Sequence, residues 1–202
     1  MTVSTQQIKE LREKTGAGVM DCKEALEKSG GDFERALEAI REKGLATAAK
    51  RSDRKASEGI VEMYSHGEGR VGVMVEVNCE TDFVARSEAF RTLAHETALQ
   101  IAAAAPKYVD EGSIPEEILE EERSKAINKA KEEGKPEKVW DRIVEGYLDK
   151  YKDENCLLRQ PYIRDEELVF KKLLLENIAA IGENIIIRRF ARWEVGENEE
   201  HS

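Results

Sequence analysis

Val71-Gly72-Val73-Met74-Val75-Glu76-Val77, running on into Asn78-Cys79-Glu80-Thr81-Asp82-Phe83-Val84-Ala85-Arg86, is the stretch from which the rest of the chain can be read. Four valines alternate with Gly72, Met74, Glu76 and Asn78, the period of a strand buried on one face. The run ends in polar residues, and a helical pattern begins near Ser87. A strand-to-helix turn therefore carries a carboxylate and a phenyl ring, Asp82 and Phe83, at its tip. Two readings of that tip stand side by side. Either Asp82 caps the next helix and Phe83 staples it to the core, or both are presented to something outside.

Working outward, Ile60-Val61-Glu62-Met63-Tyr64-Ser65 reads as a second strand, joined to the first through His66-Gly67-Glu68-Gly69-Arg70 as a hairpin. Gly67, Gly69 and Gly72 match a dinucleotide-binding pattern in spacing alone. Strands flank them, whereas that fingerprint needs a helix opening at its third glycine, so they read as a turn. Downstream, a helix over about 87–105 carries Phe90, Leu93, Ala94, Thr97, Ala98 and Ile101 on one side. Pro115 and Pro136 each suit a first helical turn, and with Gly134 between them they predict an antiparallel helical hairpin over about 115–152. Residues 156–163 read as irregular or extended. A helix is expected over about 165–181, with Leu168, Val169, Leu173, Leu175 and Ile178, and a final strand over 183–195. Strands before and after a block of helices predict an α+β domain, a small antiparallel sheet packed with helices.

The chain opens differently. Ser4 with Gln7 predicts a capping box, Ile8 and Leu11 share a face, and Gly16 is a stop. Asp21 with Glu24 is read as the start of a second helix ended by Gly30-Gly31. Asp32 caps a third, in which Phe33, Ala36, Leu37 and Ile40 recur before Gly44 stops it. Residues 1–44 thus form a three-helix module with a small core. Residues 45–58, alanine-rich and basic, read as a partly helical linker. The α+β core follows over 59–196, with a polar, disordered tail over 197–202.

Composition narrows the function. The 202 residues carry 42 acidic against 32 basic side chains, a formal net charge of -10. That balance argues against nucleic acid, whose phosphates call for a cationic face, and against an anionic membrane surface. No stretch approaches the roughly 20 apolar residues of a membrane span. The first residues carry no basic region or apolar run, so no secretory signal is expected. Cys22, Cys79 and Cys156 are scattered and odd in number, which fits a reducing cytoplasm better than a disulfide framework.

Catalytic and metal signals are weak. His95-Glu96 begins like a zinc-protease helix, but Leu99 stands where the second histidine belongs. No Cys-x-x-Cys and no phosphate-binding loop occur. The chain reads as neither an enzyme nor a holder of a metal or cofactor.

Leu11-Arg12-Glu13-Lys14-Thr15-Gly16-Ala17-Gly18-Val19-Met20-Asp21-Cys22-Lys23-Glu24-Ala25-Leu26 resembles the N-terminal signature of elongation factor Ts. The stretch from Glu76 to Arg86 resembles that family's second signature, and Gly182-Glu183-Asn184-Ile185-Ile186-Ile187-Arg188-Arg189-Phe190 its last strand. The resemblance covers nearly the whole chain, in a short form with one core repeat and no long coiled-coil insertion. Val19 stands where Leu or Met is usual, and Trp193 where Phe is usual.

The resemblance implies a guanine nucleotide exchange factor that binds the translational GTPase elongation factor Tu, GDP-bound or nucleotide-free, expels GDP and leaves when GTP enters. It implies a ubiquitin-associated-like fold for the three-helix module, with Arg12, Val19, Met20 and Lys23 contacting the GTPase. Thr81, Asp82, Phe83 and Val84 become the element that disturbs the GTPase's magnesium site, with Phe83 as a wedge. A homodimer is expected as well, because a single core repeat lacks a second contact region and because Ile185-Ile186-Ile187 and Trp193 would make a hazardous exposed edge. In the opposing reading this strand lies centrally and Trp193 packs within the chain. Two rival functions remain: an adaptor built on the three-helix module, and a metal enzyme using Glu80, Asp82 and His95.

Overall fold

The structure, a computed structural model, describes residues 3–197. Three helices open it: α1 (Thr5–Thr15), α2 (Val19–Lys28) and α3 (Phe33–Ala49). The capping box of α1 is formed, with Ser4 Oγ accepting from the Gln7 N–H at 3.2 Å and Gln7 Oε1 from the Ser4 N–H at 3.1 Å. Gly16 ends the helix at φ 67°, a conformation that favours glycine, with its N–H on the Arg12 carbonyl. The start of α2 differs from expectation. Gly18 is its N-cap and Asp21 falls in the first turn, where a carboxylate complements the positive end of the helix.

Asp32 caps α3 as read, accepting from the Arg35 N–H at 3.1 Å. The expected stop at Gly44 does not occur, and the helix runs on to Ala49. Two causes act together. The alanine-rich stretch that follows has high helix propensity, against a cost of about 1 kcal/mol for one internal glycine. A Cβ on Gly44 would also lie only 3.1 Å from that of Ala179, so the glycine serves close packing rather than termination. Leu11, Cys22, Ala25, Leu26, Ala36, Leu37 and Ile40 make the core of the module.

Next come the strands β1 (Glu58–His66) and β2 (Val71–Cys79), the single turn α4 (Asp82–Ala85), and α5 (Glu88–Ala104). The helical hairpin is α6 (Glu116–Glu132) and α7 (Trp140–Asn155). A short pair, β3 (Pro161–Tyr162) and β4 (Asp165–Val169), precedes α8 (Phe170–Ile181) and β5 (Ile186–Glu194). The helix expected from 165 therefore starts five residues late, because 165–169 instead satisfy backbone groups by antiparallel pairing with β3, Pro161 against Val169. The expected final strand also starts late, at Ile186, since Glu183 and Asn184 turn to other partners.

The main sheet is small and antiparallel, in the order β1-β2-β5. Placing the last strand centrally is thus corrected: β5 adds to the free side of the hairpin and is an edge. The valines of β2 are buried and Met74 is exposed, as the alternation predicts. Gly59, at φ 150°, lies so near the end of β2 that a Cβ would fall 2.1 Å from the Val77 carbonyl oxygen.

Two compact units divide the chain. One holds residues up to 63, 74–98 and 172–189; the other holds 64–73, 99–171 and those from 190 on. In the first, Phe90, Leu93, Ala94, Ile178 and Ile185 are buried, in addition to the module's own core. In the second, Ala126, Ala130 and Val144 are buried in the helical hairpin. Glu122 there receives hydrogen bonds from Lys125 Nζ at 2.6 Å and the Tyr147 hydroxyl at 3.1 Å, which meet the cost of burying a carboxylate. Fully buried Gln100 donates to the Pro161 carbonyl at 3.0 Å and accepts from the Ile163 N–H at 2.9 Å, holding the β3 segment. The expected disorder of the tail concerns Glu197 and residues 198–202. Glu197 accepts from the Glu194 N–H at 3.2 Å, and 198–202 lie outside the described residues.

Candidate functional site

Residues 81–84 form the cap and first three residues of α4. Thr81, not Asp82, is the N-cap: its backbone is extended and its hydroxyl accepts from the Val84 N–H at 3.4 Å. Asp82 pairs with Arg86 at 3.0 Å, one turn along. Phe83 is 82 % exposed, so it staples nothing. Of this turn it is Ala85 that is buried. The reading in which the pair caps and staples the helix is corrected on both counts, and a phenyl ring stands in solvent on a single helical turn.

One turn of helix does not hold itself, because nucleation costs more than one turn of hydrogen bonds returns. The tip is held from a distance in sequence. The Glu80 and Thr81 N–H groups donate to Glu183 Oε2 at 3.1 and 3.0 Å, and the Thr81 hydroxyl donates to Glu183 Oε1 at 2.6 Å. Reciprocally, the Asn184 N–H donates to Glu80 Oε1 at 2.7 Å, which also faces Arg54 Nη1 at 3.5 Å. Asn184 is 2 % exposed, and its side-chain amide donates to the Ser52 and Arg54 carbonyls at 3.2 and 2.7 Å. Three segments distant in sequence therefore meet at the base of the tip. The Cys79 thiol donates to the Thr81 carbonyl at 3.2 Å, and burial, with the Glu183 charge adding, pushes its pKa up to about 11. It is not a thiolate nucleophile.

Glu183 and Asn184 were legible only as polar residues opening the last strand; nothing in their spacing pairs them with residues about a hundred positions earlier.

Within α2, Cys22, Ala25 and Leu26 turn inward, which leaves Val19, Met20 and Lys23 on the outer face. Met20 is 74 % exposed. Lys23 lies 3.8 Å from Glu27, one turn along the same helix. Arg12 is exposed in the last turn of α1. The outer face of α2 thus carries two apolar side chains and a lysine, and Arg12 is a further exposed cation on α1.

The residues of the rival metal site are engaged apart from one another. His95 Nδ1 lies 3.0 Å from Glu62, Glu80 takes the Asn184 N–H, and Asp82 pairs with Arg86. Among the described residues no group of three His, Cys, Asp or Glu gathers to hold a metal ion. No helix among them is long and apolar enough to cross a membrane.

Comparison with known proteins is consistent along the chain. The family described as Elongation factor TS matches residues 3–197. A protein of Caldanaerobacter subterraneus subsp. tengcongensis named Elongation factor Ts is 59% identical over 195 residues, covering 96% of this chain and 98% of its own. One of the same name from Thermoanaerobacter pseudethanolicus is 56% identical over 200 residues, covering 99% and 98%. A third, from Coprothermobacter proteolyticus, is 52% identical over 197 residues, covering 98% of this chain and 100% of its own.

Proposed function

The chain belongs to the elongation factor Ts family, and on that premise we propose that it is a guanine nucleotide exchange factor for the translational GTPase elongation factor Tu. The observation that carries the mechanism is Phe83, a large apolar side chain left in solvent on a braced turn. Burying one such ring contributes about 1.5–3 kcal/mol, and only a partner can realise it. In the complex the tip at Thr81, Asp82, Phe83 and Val84 enters the GTPase beside its magnesium site. Phe83 wedges between elements there and Asp82 approaches the same region. The chain itself holds neither nucleotide nor magnesium.

The wedge does not suffice alone. Speeding GDP release about 10⁴-fold lowers its barrier by about 5.5 kcal/mol, at 1.36 kcal/mol per decade. The ring supplies at most roughly half of that. Loss of the metal's charge from the phosphates supplies much of the remainder, and a second surface must keep the wedge in place. We assign that docking to Arg12, Val19, Met20 and Lys23, whose exposure supports the reading. Residues 1–44 then act as the docking module and 59–196 as the core bearing the wedge, with 45–58 joining them. Because linkage is reciprocal, GDP and the factor weaken each other's binding equally, so incoming nucleotide can eject the factor. A cytoplasmic location goes with this activity.

A homodimer is also proposed, in which a second copy covers the edge strand. Support comes from β5 being an edge and from the exposure of Ile186 and Trp193.

Fluorescent GDP loaded on elongation factor Tu, mixed with this protein and excess unlabelled nucleotide, tests the reading. Release that accelerates and saturates with protein concentration supports it. An unchanged release rate overturns it and leaves the adaptor reading standing.

A further inference from the structure

We infer that Glu183 is a positioning residue for nucleotide exchange, part of a clasp with Glu80 and Asn184 that holds Phe83 at its working angle. The inference rests on the proposed exchange activity. The Glu183 carboxylate takes three hydrogen bonds from the base of the tip, from two successive backbone N–H groups and a hydroxyl, at 2.6–3.1 Å. Hydrogen bonds to an ionised acceptor are the stronger kind, and both carboxylate oxygens are used. The same hydroxyl caps α4 by accepting from Val84. Glu183 thus orients the very group that starts the turn bearing Phe83.

The return contact gives the clasp direction. Glu80 accepts from the Asn184 N–H at 2.7 Å, so each acidic residue binds the backbone beside the other. Two carboxylates brought this near repel unless donors face them. Glu183 has its three donors, and Glu80 has the Asn184 N–H with Arg54 at 3.5 Å. Asn184, nearly fully buried, donates in turn to the Ser52 and Arg54 carbonyls, in the segment that follows α3. The tip's base is therefore fixed to the chain leaving the three-helix module as well as to the segment preceding β5. A role confined to core stability would not require this placement, because the Glu183 side chain acts on Thr81, itself exposed and next to the wedge.

Glu183→Ala, Glu183→Gln, Phe83→Ala and the double variant Phe83→Ala/Glu183→Ala, compared with the unchanged protein, test the inference. Readouts are GDP release from elongation factor Tu against factor concentration, and amide hydrogen exchange at residues 80–84 without partner. The expected result for Glu183→Ala is faster amide exchange at the tip and a maximal release rate lowered about tenfold or more, as small misplacements of reacting groups do. The half-saturating concentration should stay within about twofold, since the docking surface is untouched. Added to Phe83→Ala, the change should cost less than about twofold more, because both act through one ring. Glutamine keeps an oxygen for the two N–H groups but loses the acceptor for the hydroxyl, so it should restore the rate in part. Should Glu183→Ala fail to fold, Glu183→Gln carries the test, with a lowered maximal rate and faster amide exchange at residues 80–84 expected at a temperature where that variant is fully folded. An unchanged maximal rate, unchanged tip exchange, or losses that multiply in the double variant overturn the inference. If the unchanged protein speeds release and Phe83→Ala slows it while Glu183→Ala does not, only this inference falls. If the unchanged protein does not speed release, the proposed function falls and the inference with it.

Discussion

Replacing Phe83 with alanine separates a wedge from a structural aromatic, and the structure sets both magnitudes. The ring is 82 % exposed, so its removal opens no cavity, and stability should change by no more than about 0.5 kcal/mol. Phe90 is the internal control. It is fully buried, and truncating such a ring costs about 3–5 kcal/mol. In a chain of this length that corresponds to a melting temperature lower by about 6–20 °C. Activity should behave in the opposite way. A ring buried only in the complex contributes about 1.5–3 kcal/mol, so Phe83→Ala should slow stimulated GDP release by about 10- to 150-fold at saturation. Stopped-flow release of fluorescent GDP, run beside thermal denaturation, measures both. A release rate within twofold of the unchanged protein, or a melting temperature that drops like that of Phe90→Ala, would refute the wedge.

Val19→Ala with Met20→Ala should raise the half-saturating concentration by about tenfold or more and spare the maximal rate, because only docking area is lost; an unchanged titration curve removes these residues from the interface. All three cysteines are buried, so a thiol reagent at neutral pH should label none in the native protein and all three after unfolding, and prompt native labelling of Cys79 would contradict its place under the tip. Burial pushes the Cys79 and Cys156 thiols from 9.0 to about 11. Between those pH values the folded state binds more protons than the unfolded one, so stability should be complete below pH 9 and fall as pH rises to 11, by up to about 2–3 kcal/mol per thiol; denaturant midpoints across this range should fall less in a variant with alanine at both positions. Light scattering should give twice the 22.8 kDa chain mass if the edge strand is covered by a second copy, with or without reductant since Cys156 is buried, and a mass near 22.8 kDa rejects the dimer.

Local periodicity carried most of the fold. The valine alternation placed β2 and its buried face, and Ser4 with Gln7 marked the start of α1 to the residue. Errors fall where a distant contact overrides a local signal. Gly44 reads as a helix stop until its approach to Ala179 shows what the small residue is for. Residues 165–169 look helical by spacing, yet the partner strand at 161–162 takes them. At the candidate site the tip was legible in composition but not in orientation. A carboxylate followed by a phenyl ring at a strand-to-helix junction suits a cap and staple equally well, and only Thr81 taking the cap and Ala85 taking the inward position decide it. Glu183 could not be assigned at all, because hydrogen bonds spanning about a hundred residues leave no periodic trace.

The clasp also answers a physical difficulty that the exposed ring raises. An aromatic side chain on a mobile loop would have to be ordered as it binds, at about 0.5–1.5 kcal/mol for the side chain alone and more for the backbone beneath it. That cost would consume much of the 1.5–3 kcal/mol the ring can contribute. Glu183, Glu80 and Asn184 move the backbone part of the ordering into folding, where it is met by hydrogen bonds to charged acceptors. The two features need each other: without exposure the ring has nothing to contribute to a partner, and without the brace its contribution is spent on holding the ring still. The strength of stimulated exchange should therefore follow the order of the tip as well as the size of the side chain at position 83. Phe83→Leu, which keeps an apolar side chain on an intact brace, should retain more activity than Glu183→Ala, which keeps the whole ring and loosens its base. Release measured at saturating factor ranks the two, and the reverse order would show that apolar area outweighs positioning.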